Sequence, residues 1–112
     1  MENTCFFMKI KPERKKDYID IHKKVNIWPE VLDNIKNAGI KKMKIYILEN
    51  YAICYMEAEN INAAFKYLGE QPIQRKWNEA TADFMDTQPD YDSKEVVKTL
   101  NCIFDFYDKE QY

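Results

Sequence analysis

A chain of 112 residues with 46% hydrophobic and 14% aromatic content can fill one core, so a single domain over residues 1–112 is expected. Its 17 basic and 19 acidic residues nearly cancel. The lysine pairs at Lys15-Lys16, Lys23-Lys24 and Lys41-Lys42 are short, with acidic neighbours such as Glu13, Asp17 and Asp20. Without a continuous basic stripe the chain is no nucleic-acid binder, and a small neutral or polar ligand suits it better.

Residues 5–10 alternate, with Phe6, Met8 and Ile10 on one face and Cys5 and Phe7 on the other, which predicts a strand apolar on both sides. Pro12 suits a first helical position, and the pattern continues through Tyr18, Ile19 and Ile21 to about Lys24. After a break near Val25-Asn26, Pro29 restarts a helix. Its apolar stripe is Trp28, Val31, Leu32, Ile35 and Ala38, and Gly39 ends it. Residues 43–48 and 51–57 are two further strands, and the two residues between them, Glu49-Asn50, predict a tight antiparallel hairpin. Asn60 caps a helix carrying Ile61, Ala64, Phe65 and Leu68, with Gly69 as its stop. Pro72 opens another, in which Ile73, Trp77, Ala80 and Phe84 share a face. Residues 87–93, around Gln88-Pro89-Asp90, are loop-like. Residues 100–107 alternate again and predict a fourth strand, with Cys102, Phe104 and Phe106 on one side and Ile103 and Tyr107 on the other.

The order β-αα-β-β-αα-β predicts an α+β, ferredoxin-like antiparallel sheet with helices on one face. Strands apolar on both sides need cover on the second face too, and another copy of the same sheet supplies it. A homodimer, a dimeric α/β barrel, is therefore expected.

The three cysteines, Cys5, Cys54 and Cys102, are odd in number and lack metal-ligand spacing, which argues against a disulfide framework and a zinc site. Reduced thiols imply a reducing compartment. The amino terminus lacks a signal-peptide pattern and no apolar run approaches the ~20 residues of a membrane span, so a cytoplasmic protein is expected.

His22 is the only histidine. In a helix it projects from the same face as Tyr18, four residues earlier, and an imidazole with an ordinary pKa near ~6.5 suits acid-base work near neutrality. Trp28-Pro29-Glu30 fits a helix start, and Trp77 fits an apolar stripe. Both tryptophans equally offer the aromatic faces a sugar site needs.

Tyr18, His22 and Trp28-Pro29-Glu30 ahead of an amphipathic helix resemble the L-rhamnose mutarotase family. The likeness continues through Phe6, Met8 and Pro12, Ile45-Tyr46, Met56-Glu57, Gln74-Arg75-Lys76-Trp77, Met85 and Pro89, and so spans nearly the whole chain. It implies a dimeric α+β sandwich that interconverts the α and β anomers of a free deoxy-hexose without a cofactor, with His22 as general acid. It also implies a sugar site that includes Tyr18, Met43, Lys76 and Trp77. The chain departs from the family pattern in three places. Five residues separate His22 from Trp28 where three are usual, Met43 stands where rhamnose-specific members carry tyrosine, and Lys76 replaces a second tryptophan. The stretches His22-Lys23-Lys24-Val25 and Met43-Lys44-Ile45-Tyr46 look closer to members associated with L-fucose, which makes L-rhamnose and L-fucose near-equal candidates. A sugar-binding or dimerisation module without catalysis, and a haem-handling or oxidative enzyme using His22 as an axial ligand, are the alternatives.

Overall fold

Alternating apolar residues near the amino terminus form β1 (Glu2–Lys9) in the computed structural model, which describes residues 1–106. Two further strands, β2 (Ile40–Leu48) and β3 (Tyr51–Ala58), make the predicted hairpin, with Leu48 opposite Tyr51. Glu49 takes the positive φ of 54° that this two-residue reversal demands. β1 lies against the other side of β3, pairing Phe6 with Cys54, so β3 and β1 are the central strands.

The fourth strand is a correction to the sequence analysis. β4 is only Lys98–Thr99, paired with Phe7 and Phe6 of β1, and the ladder closes with the Leu100 amide donating to the Cys5 carbonyl at 2.7 Å. Residues 101–106 form no strand, and Tyr107 lies outside the described residues. The alternation of this segment is real, but alternation makes a strand only where an edge receives its hydrogen bonds. Here Ile103, Phe104 and Phe106 are exposed instead.

The sheet order is β2-β3-β1-β4, antiparallel throughout, and among the described residues four α-helices complete the α+β fold. Pro12–Arg14 forms one 3-10 turn before α1 (Lys15–Ile21), which stops three residues short of the expected Lys24. The side chain of His22 bonds the Tyr18 carbonyl, the acceptor that the His22 backbone amide would need to continue the helix. Asn26 adds to the stop by donating to the Asp20 carbonyl. Pro29 then opens α2 (Pro29–Asn37) at its first turn, and Gly39, at φ 82°, lies just past its end as expected. The buried side of α2 is Val31 and Asn34 with Ile35 and Ala38 packed on the core, whereas Leu32, expected inside, is half exposed.

Asn60 caps α3 (Ile61–Glu70) by accepting from the Ala63 amide. Ala64, Phe65 and Leu68 of α3 pack on Phe6, Cys54, Met56 and Ala58, the side chains that β1 and β3 direct to one face. Each large apolar side chain buried here contributes about 1.5–3 kcal/mol. Gly69 does not stop α3, which runs on to Glu70 and is followed by α4 (Pro72–Thr81) and a 3-10 turn at Ala82–Phe84. Ala80 is exposed and Ile73 only partly covered, so the apolar stripe expected for α4 is not its inward face. That face is Gln74, Trp77 and Thr81.

Candidate active site

Tyr18 and His22, Met43, and Trp77, from three separate parts of the chain, meet at a cavity of about 130 Å³ between the helix-side face of the sheet and the helices. One water needs roughly 10–15 Å³ of such space, so there is room for several waters or one small polar ring. β1 supplies Phe6 and Met8, and β3 supplies Cys54, whose thiol burial pushes up to about 12. Lys76 follows a different course. It neighbours Trp77 but lies about 100° further around α4, where it is exposed and outside the lining.

The end of α1 sets the geometry of His22. Its Nδ1 lies 2.7 Å from the Tyr18 carbonyl oxygen, which can only accept, so Nδ1 carries the proton and Nε2 is the free nitrogen. Burial holds the imidazole below its ordinary pKa of 6.5, opposed by that hydrogen bond, and the resting ring is neutral with a lone pair on Nε2. The Tyr18 ring lies 4.5 Å from the imidazole, and Trp77 meets it edge-on at 5.6 Å. Trp28 in turn stands edge-on to Trp77 at 5.0 Å, which explains why the segment between α1 and α2 belongs beside α4. Tyr18 is 5% exposed, and burial keeps its phenol protonated far above neutrality. The site therefore joins a base, Nε2, to a hydroxyl donor, with aromatic faces beside them.

A second group of lining residues escaped the sequence analysis: Gln74, Asn78 and Thr81 of α4, and Gln88 beyond it. Gln88 Nε2 donates to the Asn78 carbonyl and to Thr81 Oγ1, each at 2.9 Å, and the Asn78 side chain reaches the Pro89 carbonyl at 3.4 Å. Thr81 Oγ1 itself donates to the Trp77 carbonyl at 2.9 Å. A usable signal was present in the sequence. The charged residues Arg75, Lys76, Glu79 and Asp83 mark one side of this region, leaving 74, 77, 78 and 81 for the other. Sorting residues as apolar or polar hid it, because the inward face is uncharged rather than apolar.

Arg75 clamps the segment that carries Gln88, Pro89 and Tyr91 against the helices. Its Nε donates to the Gly69 carbonyl at 2.9 Å, and its two terminal nitrogens pair with Asp92 at 3.0 and 3.1 Å. The guanidinium holds the Asp92 carboxyl below the usual carboxylate range. Tyr91 sits directly on Gly69, where a Cβ would come within 2.8 Å of the Tyr91 Cβ. Gly69 is thus a close-approach glycine that lets the loop close one wall of the cavity.

Comparison with known proteins places this geometry in context. A family model described as L-rhamnose mutarotase matches residues 3–106. An L-rhamnose mutarotase of Acidiphilium cryptum is 33% identical over 91 residues, covering 80% of this chain and 86% of that protein. One from Mesorhizobium japonicum is 31% identical over 104 residues, covering 92% and 95%. Among solved structures, an L-rhamnose mutarotase from Formosa agariphila superposes with a TM-score of 0.75 at 25% identity, covering 96% of this chain and all of that one (100%). Tetracenomycin F2 cyclase from Streptomyces glaucescens, at a TM-score of 0.62 and 9% identity, shares the fold alone.

Proposed function

Because the chain belongs to the L-rhamnose mutarotase family, we infer that it is an isomerase that interconverts the α and β anomers of a free deoxy-hexose, L-rhamnose or L-fucose. The observation that carries this is His22, half-buried beside Tyr18 at the cavity with Nδ1 anchored to backbone and Nε2 free. Mutarotation needs a proton removed from the anomeric hydroxyl and one delivered to the ring oxygen. Both oxygens are bonded to C1, so one nitrogen in reach of both can carry the proton between them. Nε2 takes the proton of the anomeric O–H while the C1–ring-oxygen bond breaks and C1 becomes an aldehyde carbonyl. The resulting imidazolium then acts as the general acid and protonates the ring oxygen. During opening, the protonated Tyr18 phenol donates a hydrogen bond to the ring oxygen as charge develops there. Rotation about C1–C2 and reversal of the steps give the other anomer, and the histidine ends as it began.

Acid-base assistance of the usual ~10²- to 10⁴-fold suffices for a reaction that already proceeds unaided in water. Trp77 and Met43 form part of the wall against which the ring packs, and Lys76 stands at the outer side of α4, where the family carries an aromatic ring. The protein acts without a cofactor in this scheme. A cytoplasmic location is in keeping with three free thiols, Cys5, Cys54 and Cys102. Among the described residues no helix is long and apolar enough to cross a membrane.

Exchange between the α and β anomeric proton signals, measured by magnetisation-transfer NMR for L-rhamnose, L-fucose and D-galactose, tests the reading. At least one sugar is expected to exchange faster than in buffer, and His22→Ala to lose ~10²-fold or more of the acceleration while staying folded. A full set of buffer rates with the native protein would end the mutarotase assignment. An equally active His22→Ala would remove His22 from the mechanism.

A further inference from the structure

Gln74 is 7% exposed on the inward face of α4 and lines the cavity. Its Nε2 has only a long contact, 3.4 Å to Asn78 Oδ1, and its Oε1 accepts from no group among the described residues. A carbonyl oxygen with no protein donor, on a residue that lines a cavity, is open to a hydrogen bond from a ligand or a water. Gln88, half-buried in the neighbouring segment, lines the same cavity. Its Nε2 donates to the acceptor-only Asn78 carbonyl, which fixes which end of the amide is nitrogen, and to Thr81 Oγ1. Both N–H groups are thereby spent, and Oε1 is the end left over.

Among the described residues no Asp, Glu, Lys or Arg lines the cavity. A ligand matched to two free carbonyl oxygens in an uncharged, largely apolar enclosure brings hydroxyl donors and no net charge. We propose that Gln74 and Gln88 are specificity-determining residues that accept hydrogen bonds from ring hydroxyls of a neutral monosaccharide other than the anomeric one. This rests on the mutarotase reading above, in which His22 and Tyr18 handle the anomeric centre and leave the remaining hydroxyls to α4 and the segment after it. Contacts to hydroxyls that do not react hold ground state and transition state alike, so their loss raises KM and spares kcat.

Anomer exchange of Gln74→Met is the test, run on the sugar that the native protein accelerates most and on the set of its monodeoxy analogues. KM is expected to rise roughly tenfold for the parent sugar, the size of one hydrogen bond, with kcat within about twofold. For one monodeoxy analogue the native protein and the variant should show the same KM, because the contact is absent in both. Gln74→Asn, which keeps the amide but withdraws the carbonyl by one bond, should show a smaller rise and guards against a Met variant that fails to fold. An unchanged KM, or an equal rise for every analogue, would overturn the proposal, the latter by showing a merely structural role. Calorimetric binding of the parent sugar separates the two readings. If the native protein binds it without accelerating exchange and Gln74→Met loses the binding, the catalytic reading falls and the hydroxyl contact stands. If the native protein neither binds nor accelerates any of the sugars, both fall.

Discussion

Alternate residues of one strand meet two different fates in this protein. Along β3, Ala52, Cys54, Met56 and Ala58 point under the helices and are 1% exposed or less, while Tyr51, Ile53, Tyr55 and Glu57 point to the other side and are only partly covered. β2 and β1 continue the second face with Tyr46, Leu48 and Phe7, of which Tyr46 and Leu48 are exposed. The helix side keeps small residues at Ala52, Cys54 and Ala58, with room left over for the cavity. The bare side keeps large ones, with Phe7 meeting Tyr51 edge-on and the Tyr55 hydroxyl donating to Glu57. A sheet face rich in aromatic and aliphatic side chains is what a second copy of the chain would cover, and we propose that this face is the interface of a homodimer. The exposed Ile103, Phe104 and Phe106 supply further apolar surface for it.

Breaking the buried side should have the largest effect. Met56→Ala removes a fully buried side chain, and a loss of about 2–5 kcal/mol is expected in denaturant unfolding. On the same strand, Ile53→Lys should leave the protomer folded and halve the particle mass seen by sedimentation. A native particle that already has the mass of one chain would refute the dimer.

The smallest effect comes from His22, held on the helix side near the end of α1. Its folded pKa is lowered from 6.5, so below that value the unfolded chain binds more protons than the folded one. Its contribution to stability is present above about pH 6.5 and is lost as the pH falls through the depressed folded value. Catalysis follows the same sign. kcat/KM should be level above neutrality and fall on acidification through an apparent pKa below 6.5, as Nε2 loses its lone pair. A fall beginning on the alkaline side of 6.5 would mean that the imidazole is charged at rest.

Much of this molecule was legible from local pattern. Pro29, Asn60 and Pro72 start helices, Gly39 follows the end of one, and Glu49-Asn50 reverses a hairpin, because each acts through its own backbone or side chain within a few residues. Tyr18 and His22 were legible for the same reason, since a four-residue spacing settles what shares a helix face. Tertiary structure decided the rest. The alternation of residues 100–106 could not say that the ladder along β1 would take Lys98 and Thr99 and end at the Leu100 amide. Nothing local told that Leu32 would face outward, that Gly69 would seat Tyr91 instead of stopping a helix, or that uncharged polar residues would turn inward on α4. Those outcomes depend on which surface arrives from a distant part of the chain. A buried glutamine is stable only once a cavity or a partner has been built around it, and no window of sequence contains that cavity.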